Sequence, residues 1–203
     1  MSEPAGARDE AAEPGEPKLD EVEPPAGRLA LGIAVAVGVL SLGLIVVLAT
    51  ADGGGDGVDT ELIGQVAPLV AGETLTGETY DLDERRGKWV LVNFFQTTCI
   101  PCVREHPELI EFSERHAQTG DAEVVSVVFD DTTTAVREFF SEFGGDWPVV
   151  VGDTGTIALD YGVVAVPESY LVAPSGMVAW KAVGGVTADG LDDAIDSLTG
   201  GAA

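Results

Sequence analysis

The chain has 203 residues with 35 acidic and 10 basic side chains, a formal charge of -25 at pH 7. From Thr60 onward there are 24 acidic and 7 basic residues, a field that repels phosphate backbones and excludes nucleic acid as a partner; its ordinary uses are solubility or a salty surrounding. Residues 61–203 suffice for one core of ordinary domain size, and they contain no internal repeat.

Residues 1–28 are rich in Glu, Pro, Ala and Gly with hardly any large apolar side chain, which predicts a disordered acidic tail. Leu29–Thr50 follows with 22 uncharged positions, Ser41 and Thr50 being its only polar side chains. At 1.5 Å per residue such a stretch reaches about 33 Å, enough to cross a bilayer core, so residues 29–50 are predicted to form a transmembrane helix. Arg8, Lys18 and Arg28 precede it and no basic residue follows until Arg85, a bias that puts the N-terminus in the cytoplasm and the rest of the chain outside it, at the cell membrane. Ala49-Thr50-Ala51 has the form of a signal-cleavage site, but the apolar stretch is longer than the roughly 7–15 residues of a signal core and follows a long acidic leader. A retained single-pass anchor is therefore the reading adopted. Residues 51–60, with Gly53-Gly54-Gly55 and Gly57, read as a flexible linker to the domain at 61–203.

Within that domain Val66–Tyr80 suggests a hairpin, and Trp89–Phe95 is a continuous apolar run of the kind buried on both faces of a sheet. From Pro101 to Ala117, Val103, Leu109, Ile110 and Phe112 recur at helical spacing among Arg104, Glu105, Glu108, Glu111 and Glu114, which predicts an amphipathic helix. Further expected elements are a strand at Val124–Phe129, a helix at Thr134–Phe143, a short extended piece at Pro148–Val151 and a small helix near Ile157–Tyr161. Ser169–Val172 and Met177–Val183 read as strands joined by the turn Pro174-Ser175-Gly176, and Leu191–Leu198 as a closing helix. Trp89 and Trp147 adjoin apolar segments and read as core or edge aromatics.

The chemistry concentrates at Cys99-Ile100-Pro101-Cys102, the only cysteines in the chain. The pair lies between an expected strand and an expected helix, the setting of a redox dithiol rather than a structural staple. Unpaired N–H groups and the helix dipole favour an anion at the helix start, so Cys99 is the expected nucleophile, and Cys102, one turn further in, the resolving thiol. A zinc site would need four ligands; Cys99, Cys102 and His106 are close in sequence, but His116 lies about 15 Å further along the helix, so no metal site is expected. Both histidines then read as polar positions on a solvated helix.

Gly64-Gln65-Val66-Ala67-Pro68, then Arg86-Gly87-Lys88-Trp89-Val90-Leu91-Val92-Asn93-Phe94, the cysteine pair with Arg104-Glu105-His106-Pro107, and Tyr161-Gly162-Val163-Val164-Ala165-Val166-Pro167-Glu168-Ser169-Tyr170-Leu171-Val172 occur in that order. Together they resemble the membrane-anchored thioredoxin-like thiol-disulfide oxidoreductases of the TlpA, ResA and CcmG (DsbE) group. The resemblance implies an α/β thioredoxin-like fold, a central mixed sheet flanked by helices, with an N-terminal hairpin and an inserted helix and strand, behind one transmembrane helix. It implies a cis bond before Pro167, with Pro167 against the cysteine pair and the backbone of Val166 as the pairing edge for a substrate peptide. Glu168 stands where the CcmG subgroup has a glutamate; it reads either as a carboxylate that relays the resolving thiol's proton or as a solvated charge at a strand start. Where the group often has tryptophans, this chain has Phe95 and Thr98, which changes the surface that partners touch.

By the resemblance, the expected activity is reduction of protein disulfides, with no cofactor beyond the redox-active Cys99–Cys102 disulfide. Apocytochrome c with its C-x-x-C-H haem site is the leading substrate, in cytochrome c maturation, and a membrane thiol relay of the CcdA or DsbD type the donor. The same residues permit an oxidant that installs disulfides in secreted proteins. A copper-binding module of the Sco kind fits less well, since its relatives resemble C-x-x-x-C with a distant downstream histidine and none follows His116 here. A peroxidase would need a different cysteine setting and arginine support.

Overall fold

The computed structural model describes residues 33–43 and 61–200. Residues 33–43 form a helix, α1, exposed at every position and belonging to a unit (residues 1–51) separate from the one that holds the cysteines. Among the described residues no helix is long and apolar enough to cross a membrane. The expected span at 29–50 runs beyond α1 on both sides; its remaining residues, the 1–28 tail and the 51–60 linker lie outside the described residues.

In the second unit β1 (Ala71–Glu73) and β2 (Thr79–Asp81) form an antiparallel hairpin followed by a short 3-10 turn at Leu82–Arg85, which the sequence did not announce. The central sheet contains β3 (Trp89–Phe95), β4 (Ala122–Val128), β5 (Val149–Val150), β6 (Glu168–Val172) and β7 (Val178–Val183), ordered β5-β4-β3-β6-β7. β3 is parallel to β4 and β4 to β5, whereas β6 runs antiparallel to β3 and β7 to β6. The helices are α2 (Ile100–His116), α3 (Thr133–Phe143), α4 (Gly155–Tyr161) and α5 (Ala188–Gly200). This is the expected thioredoxin-like architecture, with α3 and β5 as the inserted helix and strand.

Every residue of β3 is buried because both of its faces are covered. Alternation along the strand sends Val90, Val92 and Phe94 into one core with Tyr80, Tyr161 and Tyr170, and Trp89 and Leu91 into another with Leu109, Phe112, Leu171 and Leu191. Helices α2 and α5 therefore cover one side of the sheet, and the hairpin with α4 the other. Trp89 and Trp147 both pack in the core on the α2 side, as expected, and the Trp147 indole N–H donates to Ser126 Oγ at 2.9 Å.

The strand register is what assembles the site. Phe94 pairs with Glu168, so the residues just before β6, Val166 and Pro167, come level with the turn that follows β3 and carries Cys99. Segments nearly 70 residues apart in sequence meet at one end of the sheet.

Candidate active site

Cys99 is the N-cap of α2, with Pro101 in the first turn, where its missing N–H costs nothing. The Cys102 N–H donates to Cys99 Sγ at 3.2 Å, and the two cysteines are joined in a disulfide with Cα atoms 5.2 Å apart. The Val166–Pro167 peptide is cis, and Cys99 Sγ lies 3.4 Å from the Val166 carbonyl oxygen. Cys99 is half-buried beside the exposed Thr98 and Ile100, whereas Cys102 is buried among Phe95, Val136 and Phe139. The attacking and resolving positions thus differ in access.

The turn before Cys99 is held from the neighbouring loop. The Thr97 N–H and hydroxyl both donate to Asp131 Oδ2, at 2.8 and 2.6 Å, the Thr132 N–H donates to Asp131 Oδ1 at 2.7 Å, and the Gln96 side chain donates to the Asp130 carbonyl at 2.8 Å. Burial pushes the Asp131 carboxyl up, but these donors outweigh it and hold the group below its usual range.

Beneath the dithiol, on the α2 side of the sheet, Glu105 is 3% exposed. Its Oε1 accepts from Asn93 Nδ2 of β3 at 3.0 Å and its Oε2 from the Val186 N–H at 3.1 Å; Asn93 Nδ2 also donates to Ser169 Oγ of β6 at 3.0 Å. Burial pushes the carboxyl up to about 7, with the bonds from Asn93 and Val186 opposing only in part. The apolar periodicity of the sequence leaves Glu105 among the charged positions of an amphipathic helix. The available signal was the line Cys102, Glu105, Leu109, Phe112 at spacings of three and four, which puts the glutamate on the buried stripe. Asn93, a polar residue inside the apolar β3 run, was the second sign.

Glu168 is on the other face. It shares the β6 side of Tyr170 and is completely buried, with Oε1 accepting from the Val164 and Ala165 N–H groups at 3.1 and 3.4 Å and Oε2 from Lys181 Nζ of β7 at 2.7 Å. The Tyr170 hydroxyl lies 3.0 Å from the same Oε2 and 2.8 Å from the Tyr161 carbonyl. Burial alone would raise this carboxyl, yet Lys181 and the loop N–H groups together hold it below its usual range. Of the two sequence readings, the solvated charge fails because the group is enclosed. The side chain lies on the sheet face of Tyr170, opposite the one that α2 covers, and its bonds go to the loop before Pro167.

His106 is also not solvated. It is 4% exposed and sits among Phe139, Phe140 and Trp147, with ring centroids at 4.8, 5.2 and 5.4 Å, its Nε2 2.9 Å from the Gly144 carbonyl. Burial lowers its pKa, with the Gly144 bond opposing, so the ring is neutral at pH 7 and Nε2–H is the donor. The turn that presents this carbonyl needs glycine: Gly144 and Gly145 have φ of 81° and 108°, and a Cβ on Gly145 would come within 2.9 Å of Trp147.

The AhpC/TSA family matches residues 63–181, a span that includes the cysteine pair, Glu105, Glu168 and Lys181. The thiol-disulfide oxidoreductase ResA of Bacillus thuringiensis is 31% identical over 137 residues, covering 68% of this chain and 79% of that protein. The thiol:disulfide interchange protein HelX of Rhodobacter capsulatus is 35% identical over 147 residues, covering 71% and 81%. Among solved structures, the thioredoxin domain of a thiol-disulfide oxidoreductase from Bacteroides vulgatus superposes with a TM-score of 0.60 at 25% identity, over 68% of this chain and 98% of that one. On the extent of the family match and these identities, the chain belongs to the AhpC/TSA family, in its thioredoxin-like ResA and DsbE group.

Proposed function

We propose that this chain is a membrane-tethered thiol-disulfide oxidoreductase that reduces protein disulfides outside the cytoplasm. The carrying observation is the half-buried Cys99 sulfur at the start of α2, which takes the Cys102 N–H at 3.2 Å and lies beside the Val166 carbonyl. A thiolate at that position is favoured by the amide and by the helix dipole. The relatives' names, thiol-disulfide oxidoreductase and thiol:disulfide interchange protein, agree with this chemistry.

In the proposed reaction the Cys99 thiolate attacks one sulfur of a substrate disulfide, forming a mixed disulfide and expelling the other substrate sulfur as a thiolate, which takes up a proton. Cys102, once deprotonated, attacks Cys99 Sγ, closes the Cys99–Cys102 bond and releases the second substrate thiolate. Two electrons pass from the dithiol to the substrate. Glu105, one turn after Cys102 and poised near neutrality, is the proposed acceptor of the Cys102 proton. Val166, just outside the β6 ladder, offers its backbone to an extended substrate segment, and Pro167 shapes that edge. Glu168 acts by fastening the edge through Val164 and Ala165.

Apocytochrome c is the proposed substrate and a CcdA- or DsbD-type thiol relay the proposed donor, both on the resemblance to the TlpA, ResA and CcmG group. Anchoring through residues 29–50, with the N-terminus in the cytoplasm, is supported by the unbroken apolar stretch and the Lys/Arg bias. The test is the reduction potential of the full chain, equilibrated with a glutathione or dithiothreitol couple. A value below roughly -200 mV is expected; one near -120 mV would make the protein an installer of disulfides instead.

A further inference from the structure

The Asn93–Glu105 contact leaves one atom unexplained. Asn93 is 1% exposed, its Nδ2 serves both Glu105 and Ser169, and its carbonyl oxygen Oδ1 is buried with no hydrogen-bond partner among the described residues. A buried acceptor without a donor is costly, and an amide has two orientations of nearly the same shape. With nitrogen toward Glu105, the amide donates to an ionised carboxylate. Turned by half a revolution, its oxygen faces Glu105 and Ser169 and accepts from a neutral carboxylic O–H and from the serine hydroxyl. Each orientation matches one state of Glu105 and mismatches the other.

We infer that Asn93 is a positioning residue that turns its side-chain amide to pair with Glu105 in both of its protonation states, with Ser169 as the second partner. The two residues come from adjacent antiparallel strands, paired at Asn93↔Ser169, so the amide turns within a fixed frame rather than by moving a loop. The groups that β3, β6 and the segment before α5 bring into contact with Glu105 are neutral: Asn93, Ser169 through Asn93, and the Val186 N–H. On α2 itself the titratable neighbours are Cys102, one turn before, and Glu108, one turn after, the latter accepting from the Ala188 N–H at 3.0 Å. Among the described residues nothing bonded to Glu105 carries a fixed charge, so the orientation of one amide is free to decide which form of the acid is better held.

This deepens the reading of Glu105 as the acceptor of the Cys102 proton and rests on it. The test is a pH titration of the full chain, with carbon-13 following the glutamate carboxyls and nitrogen-15 the Asn93 side-chain amide. In the wild type the Asn93 amide signals are expected to change with the same midpoint as Glu105, and the contact between an amide proton and the Ser169 Cβ protons to disappear as Glu105 takes up its proton. In Asn93→Ala the Glu105 midpoint is expected to rise by roughly half a unit or more, because both forms lose a bond and the one lost to the ionised form is charge-assisted and the stronger. Asn93 signals that stay constant through the Glu105 titration would overturn the inference without any variant, and so would an unchanged Glu105 midpoint in Asn93→Ala. The pH profile of Cys102 alkylation in Glu105→Gln separates the two ideas. If that profile is unmoved while Asn93 follows Glu105, the positioning role stands and the proton-acceptor reading falls; if the profile moves while Asn93 is still, the reverse holds.

Discussion

Two glutamates are enclosed within one sheet of each other, Glu105 on the α2 side and Glu168 on the α4 side, and their acidities move in opposite directions. Burial pushes both carboxyls up. Glu168 meets a cation, Lys181 at 2.7 Å, together with two loop N–H groups, and is held as an anion. Among the described residues Glu105 meets only neutral donors, and it is left near 7. The difference lies in the charge of the partner, and it divides the labour: a carboxylate held as an anion at neutral pH fixes a loop, and one left near neutrality is the proposed exchanger of protons.

Removing the cation from this comparison has the largest expected effect. Lys181→Met leaves Glu168 as an unpaired charge inside the sheet, a loss of about 3–5 kcal/mol at pH 7. In the wild type the lowered carboxyl contributes stability that is present above its unfolded value and lost as pH falls through its folded value. The variant lacks that contribution, so urea unfolding should find the gap between the two proteins wide at pH 7 and narrow below about pH 4. A gap that is the same at both pH values would show that Lys181 acts through packing alone.

Glu105→Gln sharpens the comparison from the other side. The raised carboxyl keeps its proton in the folded state while the unfolded chain has lost it, so its contribution is full below the unfolded value and falls away as pH rises towards about 7. The glutamine variant should therefore be more stable than the wild type at pH 8, by about 3 kcal/mol, and no more stable at pH 4. Disulfide reduction should slow about ten- to a hundredfold in the same variant, since the proton of Cys102 loses its acceptor. Stability gained with activity lost is the signature; a variant that loses both would make Glu105 a structural acid.

How far the sequence anticipates this site depends on whether the signal is local. The β3 run and the amphipathic α2 announce themselves, and the expected Trp89–Phe95 strand and the helix from Pro101 agree with the structure within a residue, because an apolar run and a helical stripe are properties of neighbouring residues. The cis bond at Pro167 was legible only through the resemblance to related chains, since a Val-Pro step carries no mark of its isomer. Glu105 and His106 were misread because helical periodicity says which residues share a face without saying how wide an arc β3, β6 and α3 will cover. The Glu168–Lys181 pair was missed for a similar reason. It exists because β6 and β7 lie side by side with Tyr170 opposite Lys181, a register that emerges only once the sheet is assembled.

The histidines of α2 repeat the contrast on a smaller scale and supply its mildest test. His106, in its aromatic surroundings, is lowered by burial against the Gly144 bond, whereas for His116 burial is outweighed by Asp121 and Asp192, each 2.9 Å from a ring nitrogen, and its pKa is raised. Both ring nitrogens of His116 can donate only when the ring is charged. The contribution of His106 is therefore complete above its unfolded value and lost as pH falls, while that of His116 is complete below its unfolded value and lost as pH rises through the folded one. Relative to the wild type, His106→Leu should improve and His116→Leu should worsen between pH 8 and pH 5, read from urea midpoints. Slopes of the same sign in the two variants would mean that the partners' charge does not govern these groups, and would weaken the same argument for the glutamates.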